Sequence, residues 1–205
     1  IRLIEKYHYK KPKLNDELSS DIFDTYLNNL DSNRSYFLAS DIEYFENLRY
    51  TFDDLLETAN LTPAYAMFSV YRRRALERIG YAKSILETDL TFSTDDSYMI
   101  ERMKEPWAMN SEELNELWDR RVKYDWLALK LAGESKKEIV NKLSTRYTNI
   151  ERRIGQIKES DVFELVINTY LSSIEPHTSF FSPRDTENFK IRMSLSLEGI
   201  GAVLQ

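Results

Sequence analysis

Residues 62–87 read TPAYAMFSVYRRRALERIGYAKSILE, and this stretch decides the fold class. Thr62 can cap a helix, and Pro63 suits the first helical position. Beyond them, apolar residues recur at helical spacing on one side of the stretch: Phe68, Tyr71, Ala75, Ala82, Ile85 and Leu86. At about 1.5 Å per residue, a helix from Pro63 to about Glu87 would be roughly 37 Å long. We therefore expect it to form the spine of a helical domain.

Helical signals continue on both sides of this stretch. Upstream, apolar spacing predicts a helix from Leu14 to Leu30, and the capping-box spacing of Ser40 and Glu43 predicts another that runs to about Thr58. Downstream, the caps and terminators predict four more helices: Asn110 or Ser111 to about Ala132, ended by Gly133; Ser135 to about Lys158; Val162 to Ile174, capped by Ser160; and Ser182-Pro183 to about Arg192. Residues 88–110 carry breakers and predict an irregular segment, with a short helix allowed near residues 97–103.

The last part of the chain breaks the helical pattern. Residues 193–205 are the first strand-like material, with these apolar positions: Leu195, Leu197, Ile200, Val203 and Leu204. We therefore predict a mainly α fold: a multi-helix domain over residues 1–192, with a connecting turn segment at 175–184, and then the short beginning of a β-containing domain at 193–205. The pattern stops in predicted mid-strand, so we expect a longer parent protein.

Composition limits the classes of function. The chain has 205 residues, a formal net charge of −6 and a pI near 5.2. This charge argues against a nucleic-acid binder, because phosphate neutralisation needs a basic excess. No apolar run approaches the roughly 20 residues that span a bilayer. Cysteine is absent, which excludes disulfides and is compatible with an oxidising compartment. Because the first residue is Ile1 and no leader pattern is visible, we expect a processed or trimmed N-terminus.

Residues that carry catalysis or bind metals are scarce. His8 and His177 are the two histidines, and no His-Glu-x-x-His spacing occurs, so we predict no metal site. For His177 we predict a structural role in which its imidazole bridges backbone groups of a tight turn. Ser194 and Ser196 have no lysine or histidine base at an interpretable spacing, and neither is assigned as a nucleophile. We expect no catalytic residue and no cofactor in this chain.

Two clusters have both a binding and a structural interpretation. The arginines at 72–74 could contact an acidic partner, but such a run is usually a solvated helix face paired with nearby carboxylates. Trp118 and Trp126 could bind a ligand, but they fall at core spacing in a predicted helix. We favour the structural interpretation for both clusters.

Two glycines near the C-terminus form the candidate binding site. Gly199 and Gly201 can take backbone angles that other residues avoid, so successive N–H groups can point toward one anion. A peptide's terminal carboxylate placed there would accept bonds from Ile200, Gly201 and Ala202, and the following strand could pair with the peptide. The alternative is a glycine-containing β-turn or bulge that binds nothing.

Three segments carry a resemblance to a known family. They read SDIFDTYL at 20–27 followed by LASD at 38–41, EPHTSFFSPR at 175–184, and MSLSLEGIGAVLQ at 193–205. In these segments the chain resembles the tail-specific, or carboxy-terminal processing, serine proteases, in particular their periplasmic bacterial branch. Glu175 stands where the family usually has aspartate, which keeps the carboxylate.

The resemblance implies a helical N-terminal domain, then a PDZ domain that begins at 193–205, then a protease body with a Ser–Lys dyad beyond Gln205. It implies that Gly199, Ile200, Gly201 and Ala202 form the carboxylate-binding turn of the PDZ domain. It also implies protein substrates with apolar C-terminal tails and a periplasmic location. This chain would then be a non-catalytic scaffold that docks substrate or an adaptor protein. The alternatives are a stand-alone helical interaction domain with no protease attached and, more weakly, an independent hydrolase that uses acidic residues.

Overall fold

The computed structural model describes residues 1–92 and 97–194. Helices account for most of this backbone, so the predicted mainly α class is confirmed. In chain order the helices are α1 (Arg2–Tyr7), α2 (Asp16–Asp31), α3 (Ala39–Phe45), α4 (Phe52–Glu57), α5 (Thr62–Ile85), α6 (Ser111–Leu131), α7 (Lys136–Gln156), α8 (Glu159–Ile174) and α9 (Pro183–Ser194), with a 3-10 turn at Glu46–Leu48. Within the described ranges, no helix is both long and apolar enough to span a bilayer.

Helix α5 joins two hydrophobic cores. Its N-terminal half contributes Met67 and Phe68 to a first core, which also contains side chains from α2, α4 and α8. Its C-terminal half contributes Ile79 and Ile85 to a second core with side chains from α6 and α7. Accordingly, α5 packs against α6 and α7, while α2 packs against α4 and α8. The long helix that the sequence predicted is therefore the element shared by both halves of the structure.

The two predicted core tryptophans differ in burial. Trp118 is 0% exposed and lies in the second core. Trp126 is half-buried at the edge of the same core, where its ring contacts Phe92 with centroids 5.2 Å apart. The structural interpretation of both is therefore confirmed.

Asp31 organises the loop between α2 and α3. Its buried carboxylate accepts the backbone N–H of Ser35 at 2.8 Å, of Tyr36 at 2.8 Å and of Phe37 at 3.0 Å. Burial raises the pKa of Asp31, and these three hydrogen bonds act in the opposite direction. From the second core, Trp118 Nε1 donates to Ser35 O at 2.7 Å. The loop therefore connects α2, in the first core, to α6, in the second.

The arginine run on α5 serves mostly structural contacts. Arg74 donates from two guanidinium nitrogens to Asp41, at 2.9 and 3.0 Å, and lies 3.6 Å from Glu77. Arg72 donates to the backbone carbonyl that follows α7. Arg73 is exposed and pairs with no carboxylate among the described residues. The predicted carboxylate pairing is thus confirmed for Arg74.

Several helix ends lie where the sequence signals put them. Asn110 Oδ1 accepts the N–H of Glu113 at 2.9 Å and caps α6. Ser135 and Glu138 form the predicted capping box of α7, with the Ser135 N–H donating to the Glu138 carboxylate at 2.9 Å. Gly133 follows the C-cap residue of α6 and terminates the helix with a φ of 92°, a conformation that favours glycine.

The helix predicted to start at Ser40 is different in the structure. Asp41 Oδ2 accepts the N–H of Leu38 at 2.9 Å, so the cap lies earlier and α3 begins at Ala39. The helix then gives way to the 3-10 turn, next to which Arg49 reaches a carboxylate on α2 at 2.9 Å. The predicted single helix is therefore two short ones, α3 and α4.

Three other expectations are wrong in detail. Residues 97–103 form no helix. Helix α8 begins at Glu159, because Asp161 Oδ2 accepts the N–H of the preceding cap residue at 2.8 Å in place of the expected serine cap. Helix α9 continues through Met193 and Ser194, so the predicted strand does not begin there. The rest of that predicted strand, 195–205, lies outside the described residues.

Candidate functional site at the C-terminal junction

The predicted carboxylate-binding turn, Gly199, Ile200, Gly201 and Ala202, lies outside the described residues and stays a prediction. The structure does describe the segment that leads toward it. We call residues 175–182, between α8 and α9, the junction segment. The junction segment joins α8 to α9, so it lies on the path of the chain from the helices toward the predicted turn.

A relay of polar side chains anchors the start of the junction segment. The backbone N–H of Lys10 donates to His8 Nδ1 at 3.2 Å, and because Nδ1 accepts, the imidazole proton sits on Nε2. His8 Nε2 donates to Thr178 Oγ1 at 3.1 Å, and the Thr178 hydroxyl donates to Glu175 Oε1. The side chains of His8 and Glu175 are only 7% and 6% exposed. The N-terminal residues are therefore tied to the junction segment across 170 positions of sequence.

The electrostatics of this relay suit an anchor better than catalysis. The Thr178 hydroxyl holds the pKa of Glu175 below its ordinary value, the backbone N–H of His177 acts in the same direction, and burial opposes both. A carboxylate with a lowered pKa is a weak general base. The imidazole N–H also occupies a lone pair of the threonine oxygen, so His8 acts as a donor to this oxygen and not as a base for it. Within the described ranges, no three His, Asp or Glu side chains are grouped closely enough to hold a metal ion.

Asn168 on α8 holds the middle of the junction segment. Its Nδ2 donates to Phe180 O at 3.1 Å, and Phe180 N donates to its Oδ1 at 2.7 Å. The Phe180 ring meets Phe163 edge to face, with centroids 5.8 Å apart. At the end of α8, Lys10 Nζ donates to Ile174 O at 2.9 Å. Because both backbone groups of Phe180 are bonded to one side chain, the position and the orientation of this residue are fixed.

Ser182 starts α9, as the sequence predicts. Its Oγ accepts the N–H of Asp185 at 3.2 Å, and its hydroxyl donates to the Asp185 carboxylate. Just before this cap, Phe181 stacks on Phe189 of α9, with ring centroids 5.3 Å apart and planes 20° apart. The cap and the stacked rings set the direction in which α9 leaves the junction segment.

The bridging role predicted for His177 belongs to other residues. The His177 side chain is exposed, and its ring makes no hydrogen bond to the part of the chain that the structure describes. Thr178 and His8 make the bridge instead. Sequence reasoning missed His8 because its partner is 170 positions away, and missed Asn168 because its partner is 12 positions away, beyond one helix and a turn.

The family model for the tail specific protease N-terminal domain matches residues 1–184. A curated relative, the tail-specific protease of Haemophilus influenzae, is 39% identical over 199 residues, which cover 97% of this chain and 29% of the relative. The chain therefore spans less than a third of the length of that relative. Because the family model and the relative each match most of the chain, the chain belongs to the tail-specific protease family and corresponds to its N-terminal domain.

Proposed function

We propose that this chain is the non-catalytic N-terminal scaffold of a periplasmic serine endopeptidase that recognises the apolar C-terminal tails of proteins. Its helices hold the tail-binding module and offer surface to substrate or to an adaptor protein. The family assignment and the 29% share of the relative's length support a catalytic Ser–Lys dyad outside these residues. The hydroxyl of Thr178, engaged as an anchor between His8 and Glu175, supports the non-catalytic role.

The observation that carries the proposal is the anchoring of the junction segment from two sides. His8 and Lys10 hold it from the N-terminal residues, and Asn168 holds it from α8. A tail-binding module attached after α9 is then kept near one position relative to the helices. Tail capture and cleavage act on the same substrate chain, so a fixed distance between the two sites raises the effective concentration of the cleavage point.

In this proposal, the backbone N–H groups of Gly199, Ile200, Gly201 and Ala202 bind the terminal carboxylate of the tail. Gly201→Val in the full-length protein should weaken the binding of apolar-tailed peptides, because a β-branched residue resists the backbone angles that glycine allows. Fluorescence anisotropy measures the affinity, and the same peptide with an amidated C-terminus is the control. Equal affinity of variant and wild type for the free-acid peptide would count against this site.

The scaffold role is tested by Asn168→Ala in the full-length protein. Loss of two hydrogen bonds, each contributing about 0.5–1.5 kcal/mol, should loosen the junction segment. We expect slower cleavage of a folded substrate with an apolar tail, with unchanged binding of the isolated tail peptide. Asn141→Ala, at an exposed position of α7, is the matched control. Wild-type cleavage rates in both variants would contradict the scaffold role.

The non-catalytic role is tested on the 205-residue chain itself. We expect no turnover of unfolded protein substrates or apolar-tailed peptides by the purified chain. Turnover that copurifies with the chain through several separation steps would overturn this part of the proposal.

A further inference from the structure

An apolar groove lies between α3, with the 3-10 turn that follows it, and the first turns of α5. Its volume is about 350 Å³, and its walls include Tyr44, Leu48, Pro63, Ala66 and Val70. This volume falls within the range of about 300–1,000 Å³ that is typical of binding pockets. The groove is distinct from the junction segment, none of whose residues lines it.

The walls of the groove expose apolar surface on a rigid base. Tyr44 is 73% exposed, and Ala66 is exposed as well. Beneath them, Phe45 and Met67 line the groove and are also part of the first core, at 2% and 0% exposure. The groove is therefore formed by side chains that the fold already holds in place, so a ligand would bind without reorganising the core.

The spacing of the groove fits a helix. Pro63, Ala66 and Val70 lie on successive turns of α5, about 5.4 Å apart along its axis. Apolar side chains at positions i, i+4 and i+7 of a second helix recur at the same interval, which is how amphipathic helices fill grooves between helices. An extended peptide presents side chains on one face about every 6.6 Å and falls out of step with these turns.

A cation lies one turn beyond the apolar wall. Arg73 follows Val70 by three positions on α5, so the two side chains are neighbours on the helix surface. Arg73 is exposed and pairs with no carboxylate among the described residues, whereas the adjacent Arg74 is bonded to Asp41. A ligand that fills the groove can thus place an acidic side chain against an unpaired guanidinium.

We propose that this groove binds an amphipathic helix of a partner protein. The partner's apolar side chains, one turn apart, occupy the groove, and a carboxylate one turn further pairs with Arg73. This interaction is independent of tail recognition, because it needs no free C-terminus.

The test uses fluorescein-labelled, alanine-based helical peptides and the full-length protein. The first peptide carries leucines at i, i+4 and i+7 and glutamate at i+11, the second has lysine in place of the glutamate, and the third has prolines that break the helix. All three are amidated at the C-terminus, so that binding to a tail site does not contribute. The variants are Ala66→Glu, Arg73→Glu and, as a charge-matched control, Arg153→Glu at an exposed position of α7.

We expect the wild type to prefer the glutamate peptide over the lysine peptide by about two- to fivefold, as for an exposed ion pair. Arg73→Glu should invert this preference, and Ala66→Glu should weaken both peptides by about tenfold or more by placing a charge in the apolar wall. Arg153→Glu should bind as the wild type does. Absence of binding, equal binding of the proline peptide, or an Arg73→Glu variant with unchanged preference would overturn the proposal.

Discussion

Replacing Asp31 by asparagine tests whether hydrogen bonds or charge burial dominates at the loop between the two cores. Asp31 is 3% exposed, and its two oxygens accept three backbone N–H groups. Asparagine has nearly the same shape but offers a single acceptor oxygen. In its better orientation it keeps the bonds from Tyr36 and Phe37 and turns its own N–H₂ group toward the N–H of Ser35. Two donors then face each other inside the protein.

The expected change in the free energy of unfolding follows from the hydrogen bonds of this loop. A buried donor left without a partner costs about 1–3 kcal/mol, and Asp31→Asn creates two such donors, the N–H of Ser35 and one amide N–H. The neutral amide recovers part of this loss, because burial disfavours the ionised carboxylate, as the raised pKa of Asp31 indicates. We therefore expect a net loss of about 1–3 kcal/mol in the free energy of unfolding. Asp31→Ala, which leaves all three N–H groups without an acceptor, should lose more.

Urea unfolding of the 205-residue chain, followed by tryptophan fluorescence, measures this loss. The fluorescence of Trp118 reports on this loop, because its indole N–H donates to the carbonyl of Ser35. Hydrogen exchange at residues 35–37 should accelerate in both variants. Glu43→Gln, at an exposed position of α3, is the control and should stay within about 0.5 kcal/mol of the wild type. If Asp31→Asn is as stable as the wild type or more so, charge burial outweighs the hydrogen bonds and the reasoning is wrong.

Three further predictions concern two glycines and one carboxylate. Gly80→Ala, inside α5 with no atom within 4 Å of the added Cβ apart from its chain neighbours and the adjacent helix backbone, should stabilise the fold by about 0.5–1 kcal/mol in thermal unfolding, and a lower midpoint would contradict it. Gly133→Ala should destabilise by about 1–2 kcal/mol despite equally open space, because its φ is +92°, and an unchanged midpoint would refute this. For Glu175, the folded-state pKa is lowered, so its stabilising contribution is present above the ordinary value of about 4.3 and is lost as the pH falls through the lowered pKa. The protection factor of the His177 amide, whose N–H bonds the Glu175 carboxylate, should therefore fall as the pH drops through the lowered pKa, and Glu175→Gln should remove this dependence; an identical pH profile in the variant would contradict it.

The sequence predicted helix ends well where each end depends on nearby residues. Asn110, Ser135 and Gly133 act on backbone groups within about four positions, and Pro63 sets its own φ. These signals are complete in a short window. The Asp31 turn also carried a local signal, an acidic residue at a helix end with its donors four to six positions on, which sequence reasoning did not use.

Two predictions were wrong because the deciding partner is far away in sequence. The helix expected after Ser40 is interrupted next to Arg49, whose guanidinium reaches 25 positions back to α2. The bridge expected of His177 is made by His8, from the other end of the chain. Neither pairing has a periodicity or a spacing that a single sequence reveals. The turn at 199–202 lies outside the described residues, so it stays a prediction.

Helix α5 also has a mechanical consequence, because its 24 residues make a rod about 36 Å long that is embedded in both cores. A rod of that length converts each degree of tilt at one end into a displacement of about 0.6 Å at the other. Helix α8 packs against α5, so a force that displaces α8 through the junction segment should tilt α5 and thereby shift α6 and α7, which also pack against it. Displacement of the junction segment is therefore expected to move the helices of the second core as well as those of the first.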